Sequence, residues 1–163
     1  GALRPADYAH DLEGQPLADD ELAIVARRDH PFAKRARMAG RDLAQARWAL
    51  PRANTPNRTL LERALARRGL APPDIVVETS DLAVLRGVLV ASDLVTAISP
   101  RQLSYELAAG LLRILPFPLA DTRRVIGITR RTDSLVWPGA RLLMDEIVRR
   151  CPAALGVEIV PET

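Results

Sequence analysis

The side chains best able to do chemistry in this chain are His10, His30, Cys151 and the acid pairs Asp19-Asp20 and Asp145-Glu146. A nucleophile needs a base beside it, and a metal needs ligands spaced along one element. Neither histidine has a carboxylate or a second histidine at helical spacing, and adjacent acids on one element point in different directions. Cys151 is alone, so no intrachain disulfide forms. The strings G-x-S-x-G, G-x-x-x-x-G-K and G-x-G-x-x-G are absent. This pattern predicts a binding protein and not an enzyme, with no metal and no cofactor. One place looks suited to holding a ligand: Leu94, Val95, Ala97 and Ile98 form a short apolar run that ends at Ser99-Pro100. A strand there opens its carboxyl end on a loop, which is where open α/β sheets bind small molecules.

The elements that must position this loop follow from periodicity. Leu82, Leu85 and Leu89 recur at spacings of three and four, a helix stripe capped by Thr79-Ser80-Asp81 and joined to the following strand through Ala91, Ser92 and Asp93. Thr55 and Pro56 open an earlier helix with Leu60, Leu61, Ala64 and Leu65 on its apolar face and Gly69 just past its end. Strands are predicted at 21–27, 47–50, 75–78, 111–115 and 125–129, with a last one at 157–160. Gly1 to Asp20 reads as loop, Arg41 to Ala44 as one turn of helix, and a second helix runs from Arg101 to Gly110. Pro138 to Arg150 is predicted as a helix that buries Leu142, Leu143, Ile147 and Val148. Strand and helix alternate, which predicts a mostly parallel sheet flanked by helices. The strands at 21–27 and 125–129 bracket one compact unit and are the hinge candidates.

Composition narrows the function further. The 163 residues are 48% hydrophobic and 26% charged, ordinary for a globular fold, and only 4% aromatic. So few rings leave no stacking platform for single-stranded nucleic acid. The net charge of +3 is carried by dispersed arginine pairs, Arg27-Arg28, Arg67-Arg68, Arg123-Arg124, Arg130-Arg131 and Arg149-Arg150, with Lys34 the sole lysine. Dispersed pairs interrupted by acids read as a solvated surface, so no sequence-specific DNA affinity is expected of this chain. No apolar run approaches the roughly 18 residues of a membrane span, and the start has no signal-peptide pattern. The expectation is a cytoplasmic protein without a membrane partner.

Seven stretches, taken in order, are familiar as a series: ELAIVARRDHPFA, DLAQARWALP, NRTLLERALARRGLAPPDIVVETSD, LVASDLVTAISPRQL, GLLRILPF, RVIGITRR and PGARLLMDEI. Together they resemble the effector-binding domain of LysR-type transcriptional regulators. The resemblance implies a type 2 periplasmic-binding-protein-like α/β fold, with two subdomains joined by crossover strands and a small inducer held between them. It places a second subdomain at 25–124 and part of a first at 1–24 and 125–163. The first subdomain's opening stretch and the winged helix-turn-helix that reads DNA are missing from this pattern, so the chain is expected to be a piece of a longer bacterial regulator. Where the family often has a Gly-x-Gly turn, this chain has Ser92-Asp93-Leu94. If that turn requires positive φ, Leu94 is ill suited to it.

The resemblance also implies the site. Its cleft falls on three loops here, with Asn54 and Thr55 in the first, Thr79 and Ser80 in the second, and Ser99 and Pro100 in the third. Hydroxyls and helix N-termini on these loops suit a polar or anionic effector, such as a carboxylate, with Arg52, Arg58 and Arg101 nearby. Capping accounts equally for Thr55 and Ser80, whose hydroxyls can be consumed by their own helices. Two other functions on the same bilobal fold stay open: an enzyme using Asp81 with Thr79, and a solute-binding receptor. Family members pair two effector domains antiparallel, so a homo-oligomer is expected, with the helix at 81–90 presenting Val84, Val88 and Ala91 outward as small or apolar residues.

Overall fold

The computed structural model describes residues 11–132 and 135–155. The chain divides into two compact units, one of residues 21–122 and one drawn from 1–20 and 123–163. The expectations for His10 and for a strand at 157–160 lie outside the described residues.

The 21–122 unit is built on a five-stranded sheet of order β4-β3-β5-β2-β6, where β2 is Ala23–Arg27, β3 Arg47–Leu50, β4 Asp74–Glu78, β5 Leu94–Ile98 and β6 Leu112–Ile114. The pairs β3/β4 and β3/β5 are parallel, whereas β2 runs antiparallel to both β5 and β6. Four of the five strands therefore share a direction, with β2 reversed among them. Side chains alternate across the sheet because successive residues of a strand point to opposite faces. Helix α1 is the single turn Gly40–Ala44 before β3. Ile24, Ala26, Trp48, Leu50, Val95 and Ala97 join Leu61 and Leu65 of helix α2 (Pro56–Arg67) in one core. Val25, Ala49, Leu94 and Ile98 join Leu85 and Leu89 of helix α3 (Leu82–Ala91) in the other. Every residue of β5 is buried. Gly69 and Gly110 take φ of +65° and +68°, the left-handed geometry that ends helices and that a Cβ resists. After Pro100 the backbone makes a short 3-10 turn, Pro100–Leu103, before the single α-turn Ser104–Ala108 (α4), so the helix expected from Arg101 is split.

The turn between α3 and β5 needs no glycine. Among the described residues Asn54 is the sole non-glycine with positive φ, so Asp93 and Leu94 are unstrained. The turn is held by hydrogen bonds instead. Ser92 Oγ donates to Val88 O at 2.6 Å and accepts from Leu94 N at 3.3 Å. Arg27 Nε donates to Asp93 Oδ1 at 2.7 Å, and His30 Nε2 lies 3.2 Å from Asp93 O. His30 is buried, and its Nδ1 accepts from Phe32 N at 3.1 Å. Both ring nitrogens are thus satisfied only when the imidazole is neutral with its proton on Nε2.

In the other unit, β1 (Leu12–Asp20) pairs antiparallel with β7 (Arg124–Arg131). This corrects the expectation of a loop through Asp20. The segment holds Gly14 and Pro16 and lacks alternation, so no local signal marks it, and pairing with the apolar β7 overrides its propensity. The register shifts between Pro16 and Ala18, a bulge at which proline costs little. Asp20 and Arg124, paired at one end, form a buried ion pair at 2.7 Å, and Glu13 and Arg130 pair across the ladder toward the other. Helix α5 (Pro138–Leu155) packs on β1, and of the expected face Val148 is half-buried while Leu142, Leu143 and Ile147 are exposed. Leu142 and Leu143 are 71% and 61% exposed, while Met144, Val148 and Cys151, spaced by four and three, are half-buried. The helix is apolar on more than one side, and a two-stranded sheet covers only one. Trp137, just before it, is also exposed.

Burial lowers the pKa of His30 below the ordinary 6.5, against the raising effect of Asp93. The native state resists the proton that the unfolded chain accepts, so stability rises with pH across this range. Stability should be full above about pH 6.5 and fall below it, levelling once the native imidazole also protonates. Asp42, held below 3.8 by the Ala39 amide and Arg35, adds a separate loss in stronger acid. Urea unfolding between about pH 5 and 7.5 checks the first limb, and His30→Gln should remove its slope.

Candidate functional site

The carboxyl ends of the three parallel strands open on a common cavity of about 280 Å³. Pro51 follows β3, Thr79 to Asp81 follow β4, and Thr96 to Ile98 close β5; all line it. Thr79 N donates to Leu50 O at 3.0 Å, which ties the ends of β3 and β4 together. Thr55, Pro56 and Asn57 from the start of α2, Leu82 and Leu85 from α3, and Gln102 complete the wall. The volume is near the lower end for small-ligand pockets, which start at about 300 Å³.

Of the six residues expected at a ligand, Thr55, Thr79 and Ser80 line this cavity. Asn54, Ser99 and Pro100 are not among its lining residues. Asn54 is exposed at φ +64° and turns the chain into α2, a conformation asparagine tolerates better than branched residues. Ser99 is 2% exposed at the foot of the 3-10 turn, too deep to face solvent.

Capping is divided differently from the expectation. Thr55 stands at the N-cap of α2, yet its Oγ1 donates back to Arg52 O at 2.9 Å and caps nothing. Asp81 caps α3: its Oδ1 accepts from Ala83 N at 2.7 Å and from Val84 N at 3.1 Å. Thr79 Oγ1 in turn accepts from Asp81 N at 3.1 Å. The start of α3 already holds a carboxylate of its own, so it does not offer the open anion site that a helix N-terminus otherwise makes. Pro56, first in α2, has no amide hydrogen to offer.

The arginines do not supply the missing charge. Arg58 is 8% exposed, with Nε on Glu62 Oε1 at 2.5 Å and Nη1 on Pro51 O at 3.3 Å, so it braces the loop after β3. Arg52 and Arg101 are not lining residues. The wall is instead hydroxyls, two side-chain amides, the Asp81 carboxylate and aliphatic side chains. Reading the sequence missed Gln102, Asn57 and Thr96. Thr96 left a signal, a lone hydroxyl in an otherwise aliphatic strand. Among the described residues no group of three histidine, cysteine or acidic side chains could hold a metal, and no helix is long and apolar enough to cross a membrane.

Residues 2–152 match the family model described as the LysR substrate binding domain. The HTH-type transcriptional regulator GalR of Pseudomonas putida is 49% identical over 144 residues, 88% of this chain and 36% of its own length. The HTH-type transcriptional regulator CbbR of Xanthobacter flavus is 27% identical over 155 residues, 94% of this chain and 45% of its own length. The chain spans less than half the length of either relative. Among solved structures, the regulatory domain of Synechocystis CcmR in complex with 2-PG matches with a TM-score of 0.76 at 19% identity, over 93% of this chain and 71% of that one. The effector binding domain of QuiR in complex with shikimate matches at 0.73 and 18%, over 91% and 69%. These likenesses show a shared fold.

Capping at this wall is measurable. Asp81→Ala should cost about 1 kcal/mol in chemical denaturation, because two amides lose their acceptor, whereas Thr55→Ala should cost only a few tenths of that figure. Asn54→Gly should be neutral or slightly stabilising, and Asn54→Val should lose about 1–2 kcal/mol.

Proposed function

Since the chain belongs to the LysR substrate-binding domain family, we propose that it is the inducer-sensing part of a transcriptional regulator and binds a small polar effector at the cavity over β3, β4 and β5. The observation that carries this reading is the convergence of three parallel strand ends on one small cavity walled by hydroxyls and amides. Two neighbours of the same fold support it, CcmR in complex with 2-PG and QuiR in complex with shikimate. The relatives are named as transcriptional regulators, which favours sensing over catalysis on this scaffold. The units 21–122 and 1–20 with 123–163 correspond, in this reading, to a second subdomain and part of a first. DNA binding, the target genes and the cytoplasmic setting belong to the longer protein, whose reading head is a helix-turn-helix outside this chain.

Self-association is part of the same proposal. Helix α3 exposes Ala83, Val84, Gly87, Val90 and Ala91, a small apolar surface bordered by the partly exposed Arg86, which pairs with Glu106, while Val88 is half-buried. A second copy is the partner such a surface suits.

A panel of small polar and carboxylate metabolites, shikimate included, should contain compounds that raise the melting temperature, with calorimetry giving Kd. Ser80→Trp puts a large ring at the exposed rim of the cavity and should weaken binding by about tenfold or more. Unchanged affinity in that variant would move the site elsewhere. In sedimentation velocity, Val84→Glu should weaken any self-association of the chain without shifting its melting temperature by more than about 2 °C.

A further inference from the structure

Of the polar residues that line the cavity, Thr96 is the buried one. Thr96 lies in the middle of β5, opposite Val25 of β2, and it is completely buried. Alternation puts its side chain on the α3 side of the sheet with Leu94 and Ile98, the side on which Leu82 and Leu85 pack. Its hydroxyl has no hydrogen-bond partner, although Thr96 lines the cavity. A buried hydroxyl left unpaired destabilises a fold, and valine would fill the same volume without that cost. The charge of the wall bears on what would pair with it. No lining residue is cationic, the one lining carboxylate is Asp81, and that carboxylate already occupies the start of α3.

We infer that the portion of the effector seated in this cavity is uncharged and carries a hydroxyl, which is read at the floor by Thr96 Oγ1. This rests on the reading of the cavity as the effector site, and it adds which end of the molecule enters. A carboxylate driven down onto Thr96 would pass Asp81 with no cation to offset its desolvation. A hydroxyl both donates and accepts, so it satisfies the Thr96 oxygen without bringing a charge into the cavity. Thr96 is thus a specificity-determining residue: it rewards a ligand bearing a hydroxyl at that depth and penalises the same skeleton without one.

Paired probes test this by calorimetry on the full chain: shikimate beside cyclohexene carboxylate, and para-hydroxybenzoate beside benzoate. The hydroxylated member of a pair should bind about tenfold tighter than its parent. Thr96→Val should erase that preference while Thr96→Ser retains it, and without ligand Thr96→Val should melt on the order of 2 °C higher. The higher melting point shows the variant folded. Hydroxylated probes that bind no better than their parents, including by not binding at all, overturn the inference. If Ser80→Trp abolishes binding but Thr96→Val keeps the hydroxyl preference, the inference fails and the site stands. If Ser80→Trp leaves binding intact, the site assignment fails, and the inference with it.

Discussion

Burial of β5 on both faces constrains most of the larger unit. A strand with no exposed residue has to be covered twice, so α2 must lie on one side and α3 on the other, and β3 and β2 must flank it to pair its amides and carbonyls. Once β3 and β4 run parallel to β5, their carboxyl ends fall together, and each is followed by a loop leading to a helix or 3-10 start. The cavity is therefore a by-product of sheet direction more than of any single loop sequence. Thr79 N on Leu50 O and Arg58 on Pro51 O then hold the rim in place.

The elements of this unit were legible where local chemistry and burial agree. The Leu82, Leu85, Leu89 stripe, the run from Leu94 to Ile98 and the proline and glycine at the ends of α2 each speak for one structure. Legibility failed where an element depends on a partner distant in sequence. The strand Leu12–Asp20 has no pattern of its own and exists through pairing with Arg124–Arg131. Helix α5 could be placed but not fully oriented, because Leu142, Leu143 and Ile147 extend an apolar face around Val148 as well as Met144 and Cys151 do. The reversed direction of β2 is likewise invisible in its residues.

The site was half legible for a related reason. Thr55, Thr79 and Ser80 sit on loops that follow strands, and that position is readable. Whether a hydroxyl there faces a ligand or a backbone atom is decided by its χ1 rotamer, which the residue type alone does not fix. Thr55 turned back to Arg52, and of the expected Thr79-Ser80-Asp81 cap it is Asp81 that accepts from the helix amides. Thr96 and Gln102 enter the wall from a strand interior and a 3-10 turn, places where polar residues usually draw little notice.

The distribution of indole rings has an optical consequence. The chain has two tryptophans, and the units hold one each: Trp48 fully buried in the core under α2, Trp137 79% exposed ahead of α5. A ring sealed in an aliphatic core emits at shorter wavelength than one in water. The chain thereby carries a built-in pair of reporters, so that loss of the blue component tracks the opening of the larger unit while the red component follows the surroundings of the smaller one.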